Sequence, residues 1–85
     1  MSAELTMYTT QWCAFCRRLK SQLARDGIIM TEVDIERDPA AADYVMSVNG
    51  GNQTVPTVVF PDGSVLVNPS AAQVKKRMAE LATSG

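Results

Sequence analysis

Apolar positions recur along this chain with alternating periods, and the switches between them mark its elements. Leu5-Thr6-Met7-Tyr8 is a short apolar run that predicts a buried strand, followed by a polar loop, Thr9-Thr10-Gln11. From Cys13 to Arg25 the spacing turns helical: Phe15, Leu19 and Leu23 recur at i, i+4 and i+8, while Arg17, Arg18 and Lys20 fall on other faces. Gly27 supplies the stop signal. Ile28 to Ile35 reads as a second strand. Asp38-Pro39 then opens another helix, with Asp38 as N-cap, Pro39 at the first helical position, and Ala41, Tyr44, Val45 and Val48 as the apolar stripe. Asn49-Gly50-Gly51-Asn52 ends it with residues that tolerate positive φ. Thr57 to Phe60 predicts a third strand and Val65 to Val67 a fourth, joined through Pro61-Asp62-Gly63-Ser64 as an antiparallel hairpin. Ser70-Ala71-Ala72-Gln73 fits a capping box, and the helix after it carries Val74, Met78 and Leu81 on one face.

The predicted order is strand, helix, strand, helix, strand, strand, helix. Strands joined through a helix run parallel with a right-handed crossover, and the hairpin adds the antiparallel pair. The expectation is an α/β protein with a four-stranded mixed sheet and helices on both faces. At 85 residues, without repeats, linkers or low-complexity segments, the chain (1–85) reads as one small domain with a modest core.

Charge and composition remove several functions. Eight basic and nine acidic side chains give a net charge of −1, which argues against a nucleic-acid partner. Lys75-Lys76-Arg77 reads as the solvated face of the last helix. The absence of histidine removes imidazole acid–base catalysis and histidine metal ligands, and two cysteines do not complete a tetrahedral zinc site within one chain. Met1-Ser2-Ala3-Glu4-Leu5 lacks the basic-then-apolar pattern of a secretory signal, and no run reaches the roughly 18 apolar residues of a membrane span. The cytoplasm is therefore the expected location, and nothing in the sequence calls for more than a monomer.

The chemistry rests on Trp12-Cys13-Ala14-Phe15-Cys16, which holds both cysteines of the chain. In a reducing compartment a C-x-x-C at a strand-to-helix junction is more often catalytic than stapling. Two thiols so spaced close a small disulfide ring and reopen it. Cys13, at the extreme helix N-terminus, is expected to be the exposed nucleophile, its thiolate favoured by the free backbone N–H groups there. Cys16, about one turn on, is expected to be the more covered, resolving thiol. Phe15 fits either a core position or a surface flanking the incoming disulfide. Thr54-Val55-Pro56-Thr57 is the second informative segment, because a proline at the entry to a central strand needs a reason. A cis Val55–Pro56 bond would leave the Val55 backbone exposed to pair with an extended substrate; a trans proline starting an edge strand is the alternative.

Together, Tyr8-Thr9-Thr10-Gln11-Trp12-Cys13-Ala14-Phe15-Cys16 and Thr54-Val55-Pro56-Thr57 resemble the glutaredoxin branch of the thioredoxin-fold superfamily, over nearly the whole chain from Leu5 to about Leu81. The resemblance implies the thioredoxin/glutaredoxin fold, a cis proline at Pro56 facing the cysteines, and Cys13 as nucleophile. The block from Ser47 to Val58, with Asp62-Gly63-Ser64 and Asn68-Pro69-Ser70, is similar to the mycoredoxins, actinobacterial relatives that work with mycothiol in place of glutathione. Two departures from ordinary glutaredoxins agree with this. Thr10 stands where that family usually has a lysine, and Val67-Asn68-Pro69-Ser70 replaces its usual Gly-Gly segment. Glutathione presents two carboxylates that want cationic partners, whereas mycothiol has a sugar–inositol body and no carboxylate. Arg17 or Arg18 remains available to replace the lysine in space.

What the resemblance implies is attack by Cys13 on a protein–mycothiol mixed disulfide, loss of the protein thiol, and regeneration by a second mycothiol. In a dithiol variant Cys16 closes the ring instead. Mycothiol is a co-substrate and no cofactor is bound; the implied partners are mycothiolated proteins and, through mycothiol, its disulfide reductase. Trp12, Phe15, Val55, Pro56 and the loop from Asn68 to Ser70 would line the substrate groove, with Trp12 either an apolar wall beside the sulfur or a packing residue. The rival readings are a redoxin that serves ribonucleotide reductase and is recharged by thioredoxin reductase, a glutaredoxin-like dimer around an iron–sulfur cluster, and, less favoured, a small thioredoxin or an interaction domain with a stabilising disulfide.

Overall fold

The computed structural model describes residues 5–83. In chain order these form β1 (Leu5–Thr9), α1 (Ala14–Arg25), β2 (Met30–Asp34), α2 (Pro39–Val48), β3 (Thr57–Val59), β4 (Val65–Val67) and α3 (Ala71–Thr83). The order is the one expected from the pattern of apolar positions. Apart from Leu5, the segment read as lacking a secretory signal lies outside the described residues.

The four strands make one sheet in the order β2-β1-β3-β4. β1 runs parallel to β2, with Leu5 opposite Met30 and Thr9 opposite Asp34, and antiparallel to β3, with Met7 opposite Val58. β3 and β4 form the antiparallel hairpin, Val58 facing Leu66. Successive side chains on a strand point to opposite faces, so each strand feeds two layers. Leu5 and Met7 on β1 and Val58 on β3 pack with Leu19 and Leu23 of α1 and Val74 of α3. Tyr8 on β1 and Val33 on β2 pack on the other side with Ile35 and with Ala41 and Val45 of α2. α1 and α3 therefore cover one face and α2 the other. Full burial of a leucine or valine contributes roughly 1.5–3 kcal/mol, and Leu5, Leu19, Leu23, Val45, Val58 and Val74 are all fully buried or nearly so.

Helix ends follow local chemistry. Asp38 Oδ1 accepts from the Ala41 N–H at 3.2 Å, with Pro39 in the first turn of α2. At α3 the capping box closes both ways: Gln73 N–H donates to Ser70 Oγ at 3.2 Å, and Ser70 N–H donates to Gln73 Oε1 at 2.8 Å. α1 ends on Gly27 at φ 77°, where the Gly27 N–H reaches Ala24 O at 3.0 Å and the Ile28 N–H reaches Leu23 O at 2.9 Å. This is a Schellman motif, and it explains why β2 begins later than its apolar run. Ile28 is consumed by the helix cap and packs on the core, Ile29 is 74% exposed, and strand pairing starts only at Met30. Two further expectations shift. Phe60 leaves β3 because its N–H serves the hairpin turn, donating to Ser64 O at 2.9 Å, and Val48, expected on the apolar stripe of α2, is exposed.

Candidate active site

The chain leaves β1 at Thr9 and turns through Thr10, Gln11 and Trp12 into α1. Thr9 and Thr10, expected in a polar loop, are both buried, and Thr9 completes β1. The Cys13 N–H reaches back to Thr10 O at 3.4 Å, closing the turn. Cys13 is the N-cap of α1: its backbone is extended, and its sulfur accepts from the Cys16 N–H at 3.1 Å. A cysteine thus takes the place usually given to Ser, Thr, Asp or Asn, and its sulfur satisfies one of the free donors of the helix start. Cys13 and Cys16 are joined as a disulfide with Cα atoms 5.3 Å apart. Cys13 was expected to be exposed, but it is only 7% accessible, against 1% for Cys16. Both sulfur-bearing residues belong to the core cluster under α1, and Val55 packs on that cluster. The expected asymmetry survives in direction only: Cys13 is the outer of two nearly covered residues.

The Val55–Pro56 peptide bond is cis. The alternative of an edge-strand proline is set aside by the sheet order, because β3 lies between β1 and β4. Pro56 is buried, and its carbonyl accepts from the Asn68 N–H at 2.7 Å, tying the start of β3 to the residue after β4. Asn68 adopts φ 53°, a left-handed conformation that asparagine tolerates better than most residues. Thr57 Oγ1 donates to Thr54 O at 2.8 Å and accepts from Asn49 Nδ2 at 3.4 Å, which fastens the loop before β3 to the end of α2. Val55 is half-buried and touches the cores on both faces of the sheet. Ser70, at the start of α3, is exposed.

Trp12 and Phe15 stand on the surface beside the disulfide, 67% and 39% exposed. Phe15 is therefore a surface residue and not part of the core. Trp12 is not packed away either: its indole N–H donates to Glu36 Oε2 at 3.0 Å. Glu36, in the loop between β2 and α2, is itself held by its backbone N–H donating to Asp34 Oδ1 at 2.9 Å. Nothing in the sequence singled out Glu36, which is distant in the chain from Trp12. Arg17 lines a cavity together with Thr10, its Nη1 donating to Gln11 O at 2.7 Å, whereas Arg18 does not. Thr10 Oγ1 is buried with no hydrogen-bond partner.

Burial raises the pKa of Tyr8 above its ordinary value, and Tyr44 and Asp38 push the same way. Hydrogen bonds from the Ser64 hydroxyl and N–H hold Asp62 below the ordinary carboxylate value. Among the described residues, no group of three or more His, Cys, Asp or Glu is placed to hold a metal ion.

A disulfide at a helix N-terminus, a cis proline entering an interior strand and a mixed sheet covered on both faces together define a disulfide oxidoreductase of the thioredoxin type. The glutaredoxin family model matches residues 5–66. A Mycobacterium tuberculosis H37Rv protein provisionally named a glutaredoxin is 56% identical over 82 residues, covering 96% of this chain and 98% of that one. Mycoredoxin 1 of Corynebacterium glutamicum is 41% identical over 80 residues, covering 94% and 99%. Among solved structures, the glutaredoxin of Archaeoglobus fulgidus superposes with a TM-score of 0.70 at 26% identity, covering 87% of this chain and 84% of that one. The thioredoxin-like protein BC3987 superposes with a TM-score of 0.72 at 25% identity, covering 85% and 96%. The chain belongs to the glutaredoxin family, and Cys13 and Cys16 are its redox-active pair.

Proposed function

We propose that this protein reduces mixed disulfides between proteins and mycothiol, with mycothiol as the electron donor. The observation that carries the reading is the 41% identity to Mycoredoxin 1 over almost the full length of both chains. The similarity of the block from Ser47 to Val58 and of Asn68-Pro69-Ser70 to the mycoredoxins supports it.

Cys13 is the nucleophile. Its thiolate attacks the mycothiol sulfur of the mixed disulfide, the protein thiolate leaves, and mycothiol remains on Cys13. A second mycothiol thiolate attacks that bond, restoring the Cys13 thiolate and releasing mycothiol disulfide, which a mycothiol disulfide reductase returns to the thiol. In the dithiol route the Cys16 thiolate displaces mycothiol and forms the Cys13–Cys16 bond. The Cys16 N–H at 3.1 Å from Cys13 Sγ favours negative charge on that sulfur, both as attacking thiolate and as leaving group. Trp12, Phe15, Val55, Pro56, Asn68 and Ser70 form the substrate groove, with the exposed rings of Trp12 and Phe15 beside the sulfurs. The protein works as a monomer in the cytoplasm.

A reductant-swap assay tests the reading. Reduction of a mycothiol-capped protein is followed with mycothiol and its reductase, with glutathione and its reductase, or with thioredoxin reductase alone. Turnover driven by mycothiol is the expected result. Turnover driven only by thioredoxin reductase would overturn it and move the protein to the redoxins that serve ribonucleotide reductase.

A further inference from the structure

β4 lies at one margin of the sheet, with a partner strand on one side only. The register fixes which of its backbone groups are left over. Phe60 N–H donates to Ser64 O at 2.9 Å, and Asn68 N–H donates to Pro56 O at 2.7 Å. Hydrogen-bonded pairs alternate along an antiparallel ladder, so Leu66 and Val58 form the bonded pair between these two, while Val65 and Val67 turn their N–H and C=O groups away from β3. A row of donors and acceptors therefore stands along an open edge. Edges are commonly blunted by charge. The opposite margin, β2, carries Glu32 and Asp34, paired with Lys20 at 2.6 Å and with Arg37 at 3.8 Å. Val65-Leu66-Val67 carries no charge.

The two faces of this edge differ. Leu66 packs on the core under α1 and α3. Val65 and Val67 point to the other face, where neither joins a core cluster, and Val67 is 41% exposed. On the Leu66 face a cavity of about 220 Å³ runs between β4 and a stripe of α3, lined by Leu66, Gln73, Lys76, Arg77 and Glu80. Arg77 is engaged there: it meets Glu80 at 3.4 Å and stands 5.7 Å from the centre of the Phe60 ring. Lys76 takes part in none of the ion pairs among the described residues. The edge thus offers apolar side chains on one face and an uncommitted cation on the other. Its end is tied to the active site, because Asn68, which follows β4, is the residue held by Pro56 O.

We propose that the free edge of β4 docks an extended segment of the protein substrate as an added strand. Directly opposed residues of paired strands share a face. The segment is therefore apolar opposite Val65 and Val67, and acidic at the residue between them, which lies opposite Leu66 and faces Lys76. Three residues of edge bury far less than the roughly 1,000 Å² of a stable interface, which sets a second copy of the chain aside. A segment already held through its disulfide at Cys13 needs only a weak second contact. The proposal rests on the reading above in taking a protein as the substrate, and it is independent of which thiol recharges Cys13.

The probe is the peptide acetyl-Thr-Val-Glu-Val-Thr-amide, titrated to millimolar concentration into the isotopically labelled full chain and followed by NMR. The amides of Val65 and Val67 are expected to shift and to slow in hydrogen exchange, while a peptide N-methylated at both valines leaves them unchanged. Lys76→Glu, on an exposed helix face, should weaken binding roughly fivefold, and a peptide with lysine in place of glutamate should regain it. Joined by a flexible linker of about ten residues to a cysteine capped with the thiol that supports turnover, the unmethylated sequence should be reduced with a several-fold lower KM than the methylated one. Shifts confined to the surroundings of Cys13, no shift at all, or equal KM values would overturn the proposal. Protection of Val65 and Val67 that grows with protein concentration in the absence of peptide would assign the edge to a second copy instead. Binding is read without any thiol, so its failure leaves the mycothiol reading standing, and turnover driven only by thioredoxin reductase leaves the docking edge standing.

Discussion

The amide N–H of Cys16 points at Sγ of Cys13 from 3.1 Å, so the residue that closes the ring also offers its backbone dipole to the other sulfur. The relationship is one-sided: Cys13 sits at the N-cap, where helix donors converge, and Cys16 sits one turn inside, 1% exposed. Chemical inequality between two residues of the same type follows from position alone.

Cys13→Ser is therefore expected to abolish reduction of mixed disulfides, and Cys16→Ser to leave a monothiol activity. Turnover assays on the two variants, with mass spectrometry to find the mycothiol adduct on Cys13 of Cys16→Ser, check this. Full turnover by Cys13→Ser would refute the assignment of nucleophile.

Glu36 holds the Trp12 indole at 3.0 Å, and Trp12 is the one tryptophan of the chain, so its fluorescence reports on this contact directly. Glu36→Ala should free the ring, change the emission and raise the KM for a protein substrate more than it lowers kcat. Glu36→Gln keeps an acceptor and should restore both. The exposed bond is worth about 0.5–1.5 kcal/mol, so a KM change of up to about tenfold is the scale to look for. Unchanged emission in Glu36→Ala would show that the pair does not persist in solution.

Thr10→Val removes a buried hydroxyl that has no partner, at almost constant volume. The free protein should become more stable by about 1 kcal/mol, read as a higher midpoint in urea. A loss of stability would mean that the hydroxyl is satisfied in the folded protein.

Ser70→Ala and Gln73→Ala each break one arm of the reciprocal cap of α3. Each should cost about 0.5–2 kcal/mol, visible in thermal melts. The double variant should lose less than the sum, because the two arms share one geometry.

Tyr8 carries the pH prediction. Its folded-state pKa lies above the ordinary 10, through burial first and then Tyr44 and Asp38. The unfolded chain therefore gives up this proton first. The contribution is fully present below pH 10 and is lost as pH rises through the raised value. Tyr8→Phe should flatten the alkaline decline in urea stability. An identical decline in both proteins would assign it to other groups.

Much of this architecture was legible before any tertiary information, and the reasons are local. Asp38-Pro39 and the Ser70–Gln73 box announce helix starts through side chains that reach only a few residues along the chain, and both caps form as expected. Gly27 marks the end of α1, but β2 starts later than its apolar run, because the Ile28 N–H is taken by Leu23 O in the helix cap. An apolar run reads as strand until its donors are counted. Val48 failed for a related reason: a residue at the last turn of a helix keeps the period of the stripe without having anything beneath it.

The order of elements is written in the apolar periods, and the glutaredoxin class and the redox pair in Cys13, Cys16 and Pro56, which lie in short motifs whose chemistry depends on spacing. Tertiary structure decided how those motifs meet. It buried Cys13 at 7% exposure, held Trp12 on Glu36, brought Asn68 to Pro56, and set Arg17 beside Thr10 along a polar cavity. Apart from the last, these depend on contacts between residues far apart in the chain. Arg17 and Thr10 are near in sequence, but which arginine turns toward the cavity depends on how the loop before α1 closes against β2. Periodicity and spacing describe what a segment can form alone, and they carry no information about which surfaces face one another once the sheet is assembled.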